Sequence, residues 1–172
     1  MFYLFKNPKT PEELAGICKN PKRLASWLWH RIKYVSDDKK HGYDKWQKPN
    51  ETLRDRTGDC DDFSLLAKAA LECLGFKPFL LTVYKWKGYD RYDMKGHMVA
   101  VFYWKDRYWH ISNWGLKTAV KTSEYLEMSE DIYSKIAESV YKDAKIWRVV
   151  NENKTELKKG IHTNSSGWMP YD

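Results

Sequence analysis

The sequence predicts an α+β fold, with helices first and an antiparallel sheet after them. Two patterns carry this. Residues 60–74 are apolar around almost the whole circumference of a helix, with Asp61, Lys68 and Glu72 as a narrow polar line, which marks a buried helix. Residues 79–113 break into short apolar runs separated by polar loops, the spacing of strands in meander order. At 172 residues the chain is expected to form a single domain. That domain, 1–172, divides into a helical N-terminal segment 1–40, a core at 40–150 and a flexible end 151–172.

Element by element, a helix is expected over 21–35, with Asn20 as N-cap and Pro21 at its first position. Leu24, Trp27, Leu28 and Ile32 recur there at helical spacing. Residues 41–59 read as loop with one helical turn around 51–54. The buried helix follows and stops at Gly75. Residues 79–84 read as a strand, 85–96 as a polar aromatic loop, and 97–104 with 108–113 as a hairpin. A second long helix over 123–143 and a last strand over 145–150 complete the pattern.

Composition narrows the function classes. Thirty Lys and Arg against 23 Asp and Glu give a net charge of +7, and hydrophobic residues make up 42% of the chain. These values exclude a disordered acidic tail and a low-complexity polymer. Nine Trp, twelve Tyr and six Phe supply the area for a real core. No apolar run reaches the roughly 18 residues of a membrane span, and residues 1–5 are too short for a signal segment. A soluble, cytoplasmic protein without a membrane partner is therefore expected. Acids are interspersed with the basic residues, so a nucleic-acid partner is not expected. Cys18, Cys60 and Cys73 are an odd set without a CxxC pair, which fits reduced thiols. Cys18 and Cys73 read as core residues.

Cys60 differs from the other two because Gly58 and Asp59 place it at the first turn of the buried helix. Unpaired amides and the helix dipole favour a thiolate there, and the thiolate is the nucleophile. The glycine would let a substrate backbone approach. A nucleophilic cysteine needs a base, and the base needs a third group to orient it. A three-residue turn at 104–106 would pair His97 with Asn113, Val99 with Ile111 and Val101 with Trp109, with His97 and Asn113 on one face. A two-residue turn would pair Val99 with Ser112 and Val101 with His110, mixing polar with apolar. The hydrophobic pattern thus favours the first register, with His110 turned away from the site.

The run Arg56-Thr57-Gly58-Asp59-Cys60-Asp61-Asp62-Phe63, with His97-Met98-Val99-Ala100-Val101 and Trp109-His110-Ile111-Ser112-Asn113, resembles the transglutaminase-like superfamily of cysteine enzymes. The resemblance covers about residues 46–115. It implies a papain-like core with the nucleophile's helix packed on an antiparallel sheet, and a catalytic triad of Cys60, His97 and Asn113. The third position is usually Asp in that superfamily. An amide stabilises an imidazolium less, and Asp59, Asp61 and Asp62 further disfavour a thiolate.

The expected activity is acyl transfer through a thioester, as a thiol protease or other hydrolase acting on a peptide or protein substrate. Crosslinking to an amine and a silent binding module on the same scaffold are the alternatives. Trp46 or Gln47 are candidates for the second oxyanion donor, beside the Cys60 amide. Trp86, Tyr89 and Tyr92 are candidates for the substrate rim. No metal or cofactor is expected. The acids around Cys60 match no known cation loop, and Cys73 stands about 20 Å along the helix from Cys60, too far to share zinc.

Overall fold

The computed structural model describes residues 6–40, 42–86, 94–123 and 128–161, with the backbone alone at Lys40 and Trp86. Helices α1 (Pro11–Cys18) and α2 (Pro21–Arg31) open the chain. Each starts with proline at the first turn behind a side-chain cap, Thr10 accepting from the Glu13 N–H and Asn20 from the Arg23 N–H. Strand β1 (Lys33–Tyr34), the short helices α3 (Asp37–Lys40) and α4 (Pro49–Asp55), and β2 (Thr57–Gly58) follow. Strands β1 and β2 pair in parallel, Lys33 opposite Thr57 and Tyr34 opposite Gly58. This ties the approach to Cys60 down onto the end of α2.

Helix α5 (Cys60–Cys73) is the expected buried helix. Asp59 caps it, accepting the Asp61 N–H at 3.2 Å, while the Asp62 carboxylate accepts the Asp59 N–H at 3.2 Å. Gly75 follows with φ +85, the left-handed geometry that ends a helix at low cost only for glycine. Then come β3 (Phe79–Trp86), β4 (Met94–Tyr103), β5 (Arg107–Ser112), β6 (Gly115–Lys121), α6 (Glu130–Val140), β7 (Ile146–Val150) and β8 (Glu156–Ile161). The six strands β3 to β8 form one antiparallel sheet in the order β6-β5-β4-β3-β7-β8. The fold is α+β, as the sequence predicts.

Both faces of the sheet are covered. Leu80, Met98, Ala100, Phe102 and Ile111 face α1, α2, α4 and α5 in one core. Leu81, Val83, Val99, Val101, Trp147 and Val149 face α6 in the other. Strands β6 and β8 were not expected. β6 is mostly half-exposed and β8 almost wholly exposed, and both are sheet edges whose sequence lacks an apolar face. β8 lies inside the end read as flexible, and residues 162–172 lie outside the described residues. Helix α6 is shorter than the expected 123–143, of which 124–127 are not described. Cys18 is buried as expected, whereas Cys73 is exposed at the last turn of α5.

The hairpin register is the main correction. Strands β4 and β5 pair Ala100 with Ile111, Val101 with His110, Phe102 with Trp109 and Tyr103 with Tyr108. The connection is thus the two-residue turn, Lys105-Asp106, with φ of 53 and 58. Positive φ at both central residues is what a turn matched to the right-handed strand twist requires. Because α6 covers the second face, a one-residue slip exposes nothing, and hydrophobic patterning does not choose between the registers.

Candidate active site

Cys60 is delivered to the sheet by a rigid approach. Gly58 is extended and buried, and a Cβ there would lie 2.5 Å from the Asp62 Cβ. The glycine therefore makes room for Asp62, not for a substrate backbone. Asp62 is fully buried and accepts from the Gln47 backbone N–H at 2.7 Å, from the Gln47 side-chain amide and from the Asp59 N–H. The Gln47 amide also donates to the Thr57 carbonyl at 3.2 Å. Gln47, 1% exposed, is committed to holding the loop against α5.

Where β5 leaves β4 after Ala100, the freed edge of β4 is taken over by the first turn of α5. The Ser64 hydroxyl donates to the Met98 carbonyl at 2.9 Å and to the Cys60 carbonyl at 2.7 Å. The Met98 N–H faces the Cys60 sulfur and favours its thiolate. Residues i and i+4 of the helix thus substitute for a missing strand partner, and they seat the sulfur one residue along from His97.

His97 projects to the α6 side. Its Nε2 is hydrogen-bonded to the Ser112 Oγ at 3.1 Å, and its ring is stacked on Trp114 with centroids 3.6 Å apart. Tyr141 packs beside this stack and touches both rings, 6.2 Å from the His97 ring and 5.6 Å from Trp114. The Ser112 Oγ also accepts the Trp114 N–H at 3.1 Å, which fixes the turn that carries both partners of the ring. Asn113 lies beyond the end of β5, in the turn to β6, and its Oδ1 is buried with no hydrogen-bond partner among the described residues. The orienting contact expected from Asn113 is made by its neighbour Ser112. A polar pair at 112–113 was the signal in the sequence, and the register decides which member faces the ring.

Charge in this pocket is governed by burial. Desolvation pushes the Cys60 thiol up to about 12, reinforced by Asp59 and Asp61 and opposed by the Met98 N–H. Desolvation lowers His97 to about 3, helped by His110 and Lys95. At neutral pH the resting pair is a thiol and a neutral imidazole. His110 lies on the α6 face with His97, buried, and is lowered to about 4 by desolvation. Its ring nitrogens make no hydrogen bond of good geometry, although the Ser139 backbone lies close enough to favour the protonated ring. It was expected to turn away from the site. The observed register puts it on the same face as His97.

A family model, the transglutaminase-like superfamily, matches residues 5–113. The chain belongs to that superfamily. The match begins well before the span that the motifs themselves cover and ends on Asn113. No curated protein matches the chain. Among solved structures, it is similar to a candidate cysteine protease of Cytophaga hutchinsonii, at 16% identity and a TM-score of 0.42. That alignment covers 67% of this chain and 44% of the other, so this chain spans less than half the length of that protein. It is also similar to calcium-bound LapG of Legionella pneumophila, at 15% identity, 77% and 98% coverage and a TM-score of 0.38.

The remaining residues expected at the site of this transglutaminase-like chain are dispersed. Trp46 lines a separate cleft along α5 with Pro49, Leu65, Lys68 and Glu152, and the Lys154 ammonium sits over its ring at 5.0 Å. Trp86 ends β3 with only its backbone described, and Tyr89 and Tyr92 lie outside the described residues. Among the described residues, Asp59, Asp61 and Asp62 are the group able to hold a cation, their carboxylate oxygens lying within 4.8 Å of one another. Burial first, then the hydrogen bond and charge of Asp59, raises Asp61 to about 10. Its carboxyl therefore holds its proton well above the usual carboxylate range. No helix among the described residues is long and apolar enough to cross a membrane.

Proposed function

We propose that this transglutaminase-like chain is a cysteine-dependent acyl-transfer enzyme that hydrolyses a peptide or carboxamide bond. Cys60 is the nucleophile, His97 the general base and acid, and Ser112 with Trp114 holds the imidazole. As the sulfur attacks the carbonyl carbon, His97 takes the thiol proton, and the oxyanion forms near the Cys60 amide at the helix N-terminus. His97 then gives that proton to the leaving amine, leaving a thioester. Water attacks the thioester with His97 again accepting the proton, and the acid product departs as the thiol is restored.

The observation that carries this reading is the junction at Met98, where the first turn of α5 occupies the free edge of β4 next to His97. Raising the thiol and lowering the imidazole keeps the resting pair neutral, so the proton passes to His97 as the sulfur attacks and not beforehand. Hydrolysis is favoured over amine transfer because shielding a thioester from water needs additional covering structure.

The test is intact-mass spectrometry of the whole chain after acid quench from a peptide library. A thioester adduct on the wild type, absent in Cys60→Ala, with melting temperatures within about 2 °C, is the expected result. An unmodified wild type across the library would instead support the binding module, for which the neutral resting pair speaks.

A further inference from the structure

A second site lies between the N-terminal segment, the end of α2 and helix α4. Asn7, Pro8, Lys9, Arg31, Asn50, Leu53, Arg54 and Arg56 line an open cleft of about 630 Å³. Four of these residues are cations and two are amides, and no carboxylate is among them. Arg31 and Arg56 converge on a single acceptor: both Nη2 atoms donate to the Asn7 Oδ1, at 2.8 and 3.3 Å. The Nη1 of Arg56 is buried with no hydrogen-bond partner among the described residues.

Two guanidinium groups sharing one neutral oxygen repel each other, and a buried guanidinium N–H without an acceptor costs free energy. Burial and the charge of Arg31 both act against the Arg56 cation. The carboxylates nearby are engaged elsewhere: Asp55 pairs with the Arg54 Nε at 2.8 Å, Glu13 accepts the Lys9 backbone N–H at 2.8 Å, and Glu51 accepts the Lys48 backbone N–H at 2.8 Å. Among the described residues, neither Arg31 nor Arg56 has a carboxylate partner. The Arg56 guanidinium is also held in place, 4.7 Å over the Trp27 ring, on a residue whose φ of 56 fixes its departure from the chain.

The geometry points to a binding site for a tetrahedral oxyanion of phosphate or sulfate type, received by Arg31 and Arg56 with Lys9 and Asn50 at the rim. Such an anion presents several acceptors at once, so it serves the orphaned Arg56 N–H and relieves the repulsion between the two forks. A carboxylate, with two oxygens in one plane, meets fewer of these donors. The cleft shares no residue with the Cys60 surroundings, and the inference does not rest on the proposed activity.

The experiment is a thermal titration of the whole chain with inorganic phosphate, sulfate or acetate, each against sodium chloride at equal ionic strength. Phosphate and sulfate should raise the melting temperature saturably, by about 2–4 °C, and acetate by less than half of that. Arg31→Gln and Arg56→Gln should each abolish the rise, while Cys60→Ala keeps it. Arg31→Gln guards against a folding defect in Arg56→Gln, because Arg31 lacks the Trp27 contact. Equal shifts with chloride, or a rise that survives Arg31→Gln, overturn the assignment. A dependence on Cys60→Ala would do the same by moving the ligand to the other site.

Discussion

Replacing Asp61 with Asn should stabilise this protein at neutral pH. Asp61 is 5% exposed and its Oδ1 has no partner. Burial, then the hydrogen bond and charge of Asp59, raises its pKa from 3.8 to about 10. In the native state the carboxyl holds its proton at pH 7, while the unfolded chain has released it above about pH 4. The unfolded state binds fewer protons over that range, so stability falls as pH rises from about 4 toward 10. Between 3.8 and 7 lie about three pH units, which at ~1.4 kcal/mol each set a ceiling near ~4 kcal/mol. Water penetration and the effective interior dielectric reduce the expected gain to about 1–3 kcal/mol. For a chain of this size that is roughly 3–10 °C in melting temperature.

Asparagine keeps the shape and has no proton to lose, so the gain should grow with pH and vanish near pH 4. The assay is a set of melting curves at pH 4, 5.5, 7 and 8.5 in chelator, for both proteins. A variant less stable at pH 7, or a difference flat with pH, would refute the reasoning. A divalent cation that raises the wild-type melting temperature and not that of the variant would also refute it, by showing the three carboxylates compensated by a metal.

Three further outcomes follow from the site and the sheet. Ser112→Ala should lower kcat by about 10- to 100-fold with little change in melting temperature, whereas Asn113→Ala should change kcat less than about twofold, outside the range expected for misplacing the ring; steady-state kinetics showing the reverse order would contradict the observed register. Replacing Lys105-Asp106 by Asn-Gly should add about 1 kcal/mol by easing two positive-φ positions, read as a higher midpoint in urea. His110, lowered to about 4 from 6.5, favours folding above pH 6.5 and loses that contribution as pH falls toward 4. The loss is at most about 3 kcal/mol, and His110→Leu should flatten that part of the acid-unfolding curve.

The local features of the fold were legible in the chain because they depend on neighbours in sequence. Proline behind Asn20, Asp59 ahead of a run apolar on nearly every side, and Gly75 after it define α2 and α5 whatever surrounds them. The same run carries the superfamily motif, so the helix and the cysteine that opens it follow from the sequence alone. The edge strands β6 and β8 were not, since a strand facing solvent on its free side needs no apolar pattern.

Only the tertiary structure decided which side chain meets His97. The choice rests on a single residue of register, set by a two-residue turn made from Lys105 and Asp106 in place of the more telling Asn-Gly. With helices on both faces of the sheet, solvent exposure does not penalise either pairing, so sequence pattern is silent where the site is most sensitive. The oxyanion cleft is of the same kind: Asn7, Arg31 and Arg56 are far apart in the chain, and their convergence comes from the packing of the N-terminal segment against the end of α2 and the exit of α4.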